Sequence, residues 1–305
     1  MRVVVTGAGG FVGREICRQL IVRGDDVVGL DVNGGGMLSG IRGVIGELSD
    51  ATVRRDLLDT GCDALIHLAT VPGGAAEADP AASRRVNVNA MYDLLLEAGE
   101  RYPGVRVVYA SSIAVLGDSL PAVVDDQTPL SPRMIYGGHK AMMEDAIAMF
   151  SNRGTIDGVT LRLPGILARP KGPSGMKSAF MSDIFHALKK GEPFICPVSA
   201  DGTIWAQSIT KCAENFIHAA RMDSALLPPT RAVTLPAIRI SMKELAAEIA
   251  VQCAVSTDLV SYNPDLPLDA AFARQPMLET PAAEHAGFAH DGNYATLVRN
   301  ALSSM

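Results

Sequence analysis

Tyr136 precedes Lys140 by four residues in the stretch "IYGGHK", with Gly137 and Gly138 between them. On a helix this spacing places the phenol and the amine on one face. The glycines oppose a helix, each weakening its interior by about 1 kcal/mol relative to Ala. The spacing therefore carries meaning only if a neighbouring surface needs the backbone bare. Ser111 and Ser112 close an apolar run, "RVVYASS". Ser112, Tyr136 and Lys140 together suit the oxidation of an alcohol, in which a base takes the hydroxyl proton while hydride leaves the carbon. A free phenol is a poor base at neutral pH, and bringing it from about 10 to about 7 takes about 4 kcal/mol. An ammonium about 5 Å away supplies about 3 kcal/mol at an effective dielectric of about 20. Ser112 would hold the substrate oxygen in place.

These residues need elements to position them. "RVVVT" (2–6), "VVGLD" (27–31), "GVIGEL" (43–48), "ALIHLA" (64–69), "RVVYAS" (106–111) and "TLRLP" (160–164) read as strands. Val12, Ile16 and Leu20 step at helical spacing, a helix is expected over 81–100, and another continues after Tyr136. Between the second and third strands only about a dozen glycine-rich residues intervene, so the crossover helix there must be very short or missing. Strands apolar on both faces, alternating with helices, predict an α/β fold with a doubly wound parallel sheet covered on both sides. After Pro164 the regularity lapses into a smaller α+β region, in which Ser241 and Glu244 form a capping box for a helix. The expected division is a dinucleotide-binding domain over 1–165, with a returning segment at about 203–236, and a substrate region over 166–202 and 237–305.

Between the first strand and first helix lies "TGAGGFVG", with glycines at 7, 10 and 13. Bare backbone there allows a tight turn and close approach of N–H groups to a pyrophosphate, and the helix N-terminus favours the anion. Asp31 ends the second strand 18 residues after Gly13, where an acid can hold adenosine ribose hydroxyls and repel a 2′-phosphate. The expected cofactor is NAD. Its oxidised, cationic nicotinamide would complete the lowering of the phenol that the ammonium begins.

Composition excludes several classes. The 305 residues carry a net charge of −6 without any run of Lys or Arg, which argues against a nucleic acid or a polybasic membrane surface. Five cysteines lack a C-x-x-C pair and six histidines lack metal spacing, so reduced thiols and no metal are expected. No apolar run reaches membrane-spanning length, and the start is too short for a signal-peptide core, so a cytoplasmic protein with no membrane partner is expected.

With these motifs in place, the chain resembles the extended short-chain dehydrogenase/reductase family over essentially its whole length. "TGAGGFVG" is similar to T-G-x-x-G-x-x-G, "SSIAVLG" to the serine segment and "YGGHK" to Y-x-x-x-K. The resemblance implies NAD contacts at Gly7, Gly10, Phe11, Val12, Gly13 and Asp31. It implies further contacts at Glu47 and Leu48 beside adenine, at Leu68 and Ala69 of "HLAT", and at Leu163 and Pro164 by the carboxamide. Asn87 matches the helix asparagine near the active site. A Rossmann domain, a smaller substrate domain and a homodimer formed by two helices per subunit are implied as well.

Three departures separate the chain from the nucleotide-sugar enzymes of that family. Ile113 and Ala114 follow Ser112 where dehydratases carry an acid pair, Gly165 stands where epimerases place an asparagine, and "WAQSITKCAEN" (205–215) lacks an aspartate pair. The remaining pattern resembles a subgroup that oxidises the C2 hydroxyl of a four-carbon sugar acid such as D-erythronate with NAD. This implies a small sugar-acid substrate at Ser112 and Ile113, its carboxylate met by the amides of Gly73 and Gly74 or by Arg169, Lys171 or Lys177. A nucleotide-sugar 4-epimerase and a non-catalytic NAD sensor are the alternatives. His67, His139, Cys17 and the Met-rich helix face are expected to be structural, and Asp125 and Asp126 surface charge. Trp205 either lines the substrate pocket or fills the smaller region.

Overall fold

Val3 and Val5 of the first strand, β1 (Arg2–Thr6), pack into one apolar layer while Val4 packs into the other, so period-two alternation buries both faces. The computed structural model describes residues 1–59, 61–171 and 177–305. After β1 come α1 (Phe11–Val22), β2 (Asp26–Asp31), β3 (Arg42–Ile45), α2 (Ala51–Leu58) and β4 (Ala64–His67). Short helices α3 (Gly73–Ala78) and α4 (Pro80–Arg84) lead through a π-helical turn, Arg85–Ala90, into α5 (Met91–Arg101). Next are β5 (Val105–Ser112), β6 (Val123–Val124), α6 (Ile135–Asn152), β7 (Ile156–Leu163), β8 (Gly165–Ile166) and α7 (Phe180–Lys189). They are followed by β9 (Phe194–Cys196), β10 (Thr203–Gln207), α8 (Ile209–Ala219) and β11 (Ala232–Thr234). The C-terminal run is β12 (Ile238–Ser241), α9 (Met242–Cys253), β13 (Val260–Tyr262), α10 (Leu266–Phe272), β14 (Met277–Leu278), α11 (Pro281–His285) and α12 (Tyr294–Leu302).

Seven parallel strands form one sheet in the order β11-β7-β5-β4-β1-β2-β3. The chain runs outward from β1 to β3 and then returns to β4 on the other side. The topological switch therefore lies between β1 and β4, and the crevice at their carboxyl ends is where such sheets take ligands. This is the doubly wound, Rossmann-type α/β fold that the alternation predicts. Ile16, Cys17 and Leu20 of α1 and Cys212 and Phe216 of α8 cover one face. Leu94 and Leu95 of α5 with Met143, Ile147 and Phe150 of α6 cover the other.

The β2–β3 connection holds a single 3-10 turn, Gly34–Gly36, in place of a helix. Helix α2 has no counterpart in the sequence expectations, and β7 begins four residues earlier than expected. Within the segment 203–236, β10 pairs with β8 and β12 in a separate three-stranded sheet, whereas α8 and β11 return to the seven-stranded one. A third apolar cluster, built by α7, α9 and α12 around β10 and β12, is the core of the smaller region. There Ser241 Oγ accepts from Glu244 N and Glu244 Oε2 accepts from Ser241 N, the capping box the sequence predicts. Among the described residues, no helix is long and apolar enough to cross a membrane.

Candidate active site

The glycine loop is shaped by what cannot fit in it. A methyl group on Gly13 would lie 2.1 Å from the Gly7 carbonyl oxygen, and Gly7 adopts φ +72° against the Leu68–Ala69 backbone. Gly10 precedes α1 without any side-chain cap, which leaves the first-turn N–H groups of α1 open to an anion. At the end of β2, Asp31 Oδ2 accepts from Gly9 N at 2.9 Å and Oδ1 from Asn33 N at 3.1 Å. Bare backbone, an uncapped helix end and a carboxylate at the neighbouring strand end fit a dinucleotide. Gly46 N donates to the Asp31 carbonyl, which brings the exposed Glu47 close to that corner. Leu48, next to it, packs its side chain into the core.

Beyond the loop opens a cavity of about 1290 Å³. Val12, Leu68, Leu163 and Pro164, near the glycine loop or expected beside the dinucleotide, line it together with Ser112, Ile113, Tyr136 and Lys140. Gly73 and Gly74 also line it, with Arg169, Lys171 and Lys177 from beyond β8. Trp205 does both things considered for it: it borders the cavity while 1% exposed, and its Nε1 donates to the Pro276 carbonyl at 2.8 Å. Among the described residues, no cluster of His, Cys, Asp and Glu could hold a metal ion.

Tyr136 and Lys140 share one face of α6, and Lys140 Nζ lies 5.5 Å from the Tyr136 ring centre. Lys140 is 1% exposed; its Nζ donates to the Ala110 carbonyl at 2.7 Å and sits 4.7 Å from the ring centre of Tyr109. Only one of the two intervening glycines answers to a neighbour. A methyl group on Gly137 would lie 2.5 Å from the Ala114 carbonyl oxygen, so bare backbone lets α6 press on the turn after β5. Gly138 faces open space, with no atom within 4 Å of that position. Gly137 thus meets the turn after β5, and no protein atom approaches the Gly138 position.

The electrostatics differ from expectation in a second respect. Burial raises the Tyr136 phenol above its ordinary value, opposed first by the Arg169 cation and then by a hydrogen bond with Ser112. Burial also pulls Lys140 down to about 7, opposed by Glu144. Lys140 is thus a weaker resident cation than a solvated lysine, and Arg169 contributes positive potential at the phenol. Arg169 follows Ala168, which takes φ 58°, a left-handed turn costing a residue with a Cβ about 1–2 kcal/mol. Its guanidinium carbon lies 5.8 Å from the Phe11 ring centre, linking the glycine-loop helix to the cavity.

Asn87, expected near the active site, is buried and fully engaged with the loop after β4. Its Oδ1 accepts from Val71 N at 2.7 Å and Thr70 Oγ1 at 3.1 Å, and its Nδ2 donates to the Val71 carbonyl and Ser83 Oγ. It pins the loop after β4, which leads to Gly73 and Gly74 of the cavity wall. His67 is buried, meets Thr6 Oγ1 at 2.8 Å and is held down to about 3, first by burial and then by the Lys140 charge. His139 meets Ser83 Oγ at 2.9 Å. Asp126, expected as surface charge, is half-buried and accepts from Ala282 N at 2.8 Å near the start of α11. Sequence reasoning passed over Glu144 and Arg162, whose ion pair lies beneath Ser111; the signal available was Glu144 four residues beyond Lys140 on the same helix face.

A family model described as the NAD dependent epimerase/dehydratase family matches residues 3–207. The chain is 29% identical over 311 residues to a D-erythronate dehydrogenase of Haemophilus influenzae, covering 98% of each chain. It is 35% identical over 260 residues to a D-erythronate dehydrogenase of Cupriavidus necator, covering 79% of this chain and 78% of the relative. Among solved structures, a nucleoside-diphosphate-sugar epimerase from Agrobacterium tumefaciens superposes with a TM-score of 0.87 at 26% identity, covering 98% of this chain and 92% of that one.

Proposed function

The chain belongs to the NAD dependent epimerase/dehydratase family, and from that premise we propose that it oxidises the C2 hydroxyl of a small sugar acid such as D-erythronate. It is an NAD-dependent oxidoreductase. The observation that carries the substrate proposal is the conjunction of Ser112, Tyr136 and Lys140 with the cations Arg169, Lys171 and Lys177 around one cavity. A carboxylate on the substrate would turn to those cations and leave its neighbouring hydroxyl between Ser112 and Tyr136.

In this scheme Ser112 fixes the substrate oxygen by a hydrogen bond and Tyr136 accepts the hydroxyl proton. Arg169 and Lys140 favour the phenolate by their positive charge, and Trp205 with Leu163 keeps water from that end of the cavity. NAD, when bound, supplies the hydride acceptor. Ile113 and Ala114 carry no proton, which leaves a dehydratase without its acid. The likeness to a nucleoside-diphosphate-sugar epimerase keeps 4-epimerisation as the second reading. Incubating the purified protein with D-erythronate and NAD should produce NADH absorbance. Turnover of a UDP-sugar with no NADH formed from sugar acids would overturn the dehydrogenase reading in favour of the epimerase.

Tyr92 and Leu96 on α5, each 38% exposed, and Met142 (55%) and Met149 (38%) on α6 form an apolar face on adjacent helices. A second copy of the chain is the proposed cover, giving a homodimer. All five cysteines are free thiols and four are buried, which suits a reducing compartment, and we place the enzyme in the cytoplasm.

A further inference from the structure

Tyr136, Lys140 and Glu144 follow one another at four-residue spacing along α6. Each meets the carboxyl end of β5. Tyr136 lines the cavity together with Ser112, Lys140 Nζ donates to the Ala110 carbonyl at 2.7 Å, and Glu144 Oε1 accepts from Ser111 Oγ at 2.5 Å. The Glu144 carboxylate is also gripped by Arg162 on β7, from Nη2 at 2.7 Å and from Nε at 3.1 Å to both oxygens. Ser111 and Arg162 are direct register partners across β5 and β7, so both strands hold the carboxylate.

Glu144 is 3% exposed. Buried ion pairs are poor stabilisers, because desolvation offsets most of their attraction and apolar replacements of similar volume are often as stable. A pair beneath the catalytic helix therefore calls for a role other than stability. The groups around Lys140 identify one. Tyr136 and Glu144 face it from α6 and Tyr109 from β5. His67 on β4 stacks on Tyr109 with ring centres 5.9 Å apart, and Arg162 on β7 stands behind Glu144. His67, held down to about 3, is neutral at working pH, so the charged groups around Lys140 are the Glu144 carboxylate and, behind it, Arg162.

We propose that Glu144 is a positioning residue that acts through Lys140. Its carboxylate fixes the register of α6 on β5 and supplies the negative charge that keeps the Lys140 ammonium in the cavity, and Arg162 sets how much of that charge Lys140 feels. The direction of the Lys140 perturbation agrees: burial pulls the amine down to about 7 and Glu144 opposes it. The proposal rests on Lys140 facing the dinucleotide cavity, but its test needs no substrate.

NADH affinity, read by the fluorescence of the bound dinucleotide from pH 6 to 9, reports the charge of Lys140, since an ammonium in the cavity favours an anionic ligand. Wild type should bind more weakly as pH rises through about 7, and Lys140→Met should lack that limb. Glu144→Gln keeps the shape but removes the charge, and should move the limb down by about one pH unit. Arg162→Met leaves the carboxylate uncompensated and should move it up by about as much. A purely structural ion pair would give the two variants equal losses in melting temperature and limbs unmoved or moved alike. Either of those outcomes, or a wild-type profile identical to that of Lys140→Met, would overturn the proposal. Should Glu144→Gln not fold, Arg162→Met alone decides by the direction of its limb. If the limbs separate as stated while wild type oxidises no sugar acid, the substrate reading fails and this one stands.

Discussion

Lys140 Nζ lies 5.5 Å from the Tyr136 ring centre and donates to neither the phenol nor a carboxylate but to the Ala110 carbonyl, 2.7 Å away. The pair is coupled through space, with the amine anchored independently to β5. Removing the phenol oxygen should therefore leave the amine where it is. Tyr136→Phe is expected to lower kcat at least about 100-fold, the usual worth of a positioned acid or base, while NADH affinity changes little. Parallel turnover and fluorescence titrations check this, and a variant that keeps wild-type kcat would remove Tyr136 from the reaction.

The two glycines between them should behave oppositely. Gly137→Ala pushes a methyl group to 2.5 Å from the Ala114 carbonyl oxygen and 3.1 Å from Pro132, so α6 must shift off the turn that follows Ser112. A loss of about 1–3 kcal/mol is expected, as for other overpacked sites, with a fall in activity. Gly138→Ala meets nothing within 4 Å and should gain about 0.5–1 kcal/mol from helix propensity. Thermal melts of both variants decide the matter, and equal destabilisation would contradict the geometry.

Much of this site was legible because its key spacings are local. Tyr136 to Lys140 is one helical turn, the glycine loop is one strand–helix junction, and the alternation of β1 shows in three consecutive valines. What escaped notice joins residues far apart in the chain. Glu144 finds Arg162 across a strand, Asn87 finds Val71 across a loop, and Arg169 reaches the phenol from beyond β8. Strand β10 has the apolar look of any buried strand, and its composition does not reveal that it pairs with β8 and β12 instead of the large sheet. Gly138 shows the converse, a glycine beside Gly137 that no protein atom approaches within 4 Å.

The buried amine should also leave a thermodynamic signature. Lys140 titrates at about 7 in the fold and at about 10.4 when unfolded. Between those values the unfolded chain binds a proton that the native one does not, so stability rises with pH there. Below about 7 both states are protonated and the full cost of burying the charge is present. Lys140→Met lacks this dependence, so its stability advantage over wild type should be largest at or below pH 7 and shrink toward pH 10 by up to about 1.4 kcal/mol per pH unit. Denaturant titrations at several pH values measure the gap. A gap that stays constant, or widens with pH, would mean the amine is not perturbed in this direction.

The apolar face on α5 and α6 makes the last prediction. Leu96 and Met142 are exposed at 38% and 55% on neighbouring helices whose inner faces fill the core beneath the sheet. Their outer faces gain nothing from water, and a second copy would bury both side chains. Wild type is expected to run as a dimer at micromolar concentration in light scattering. Leu96→Lys with Met142→Lys places charges that a self-complementary interface must bring together or desolvate, and should halve the mass while leaving the helical circular dichroism unchanged. Because Lys140 and Tyr136 lie on the opposite side of α6, facing β5, NADH affinity of the monomer should stay near that of wild type. A wild-type monomer, or a double variant that keeps the dimer mass, would show that these helices do not form the interface.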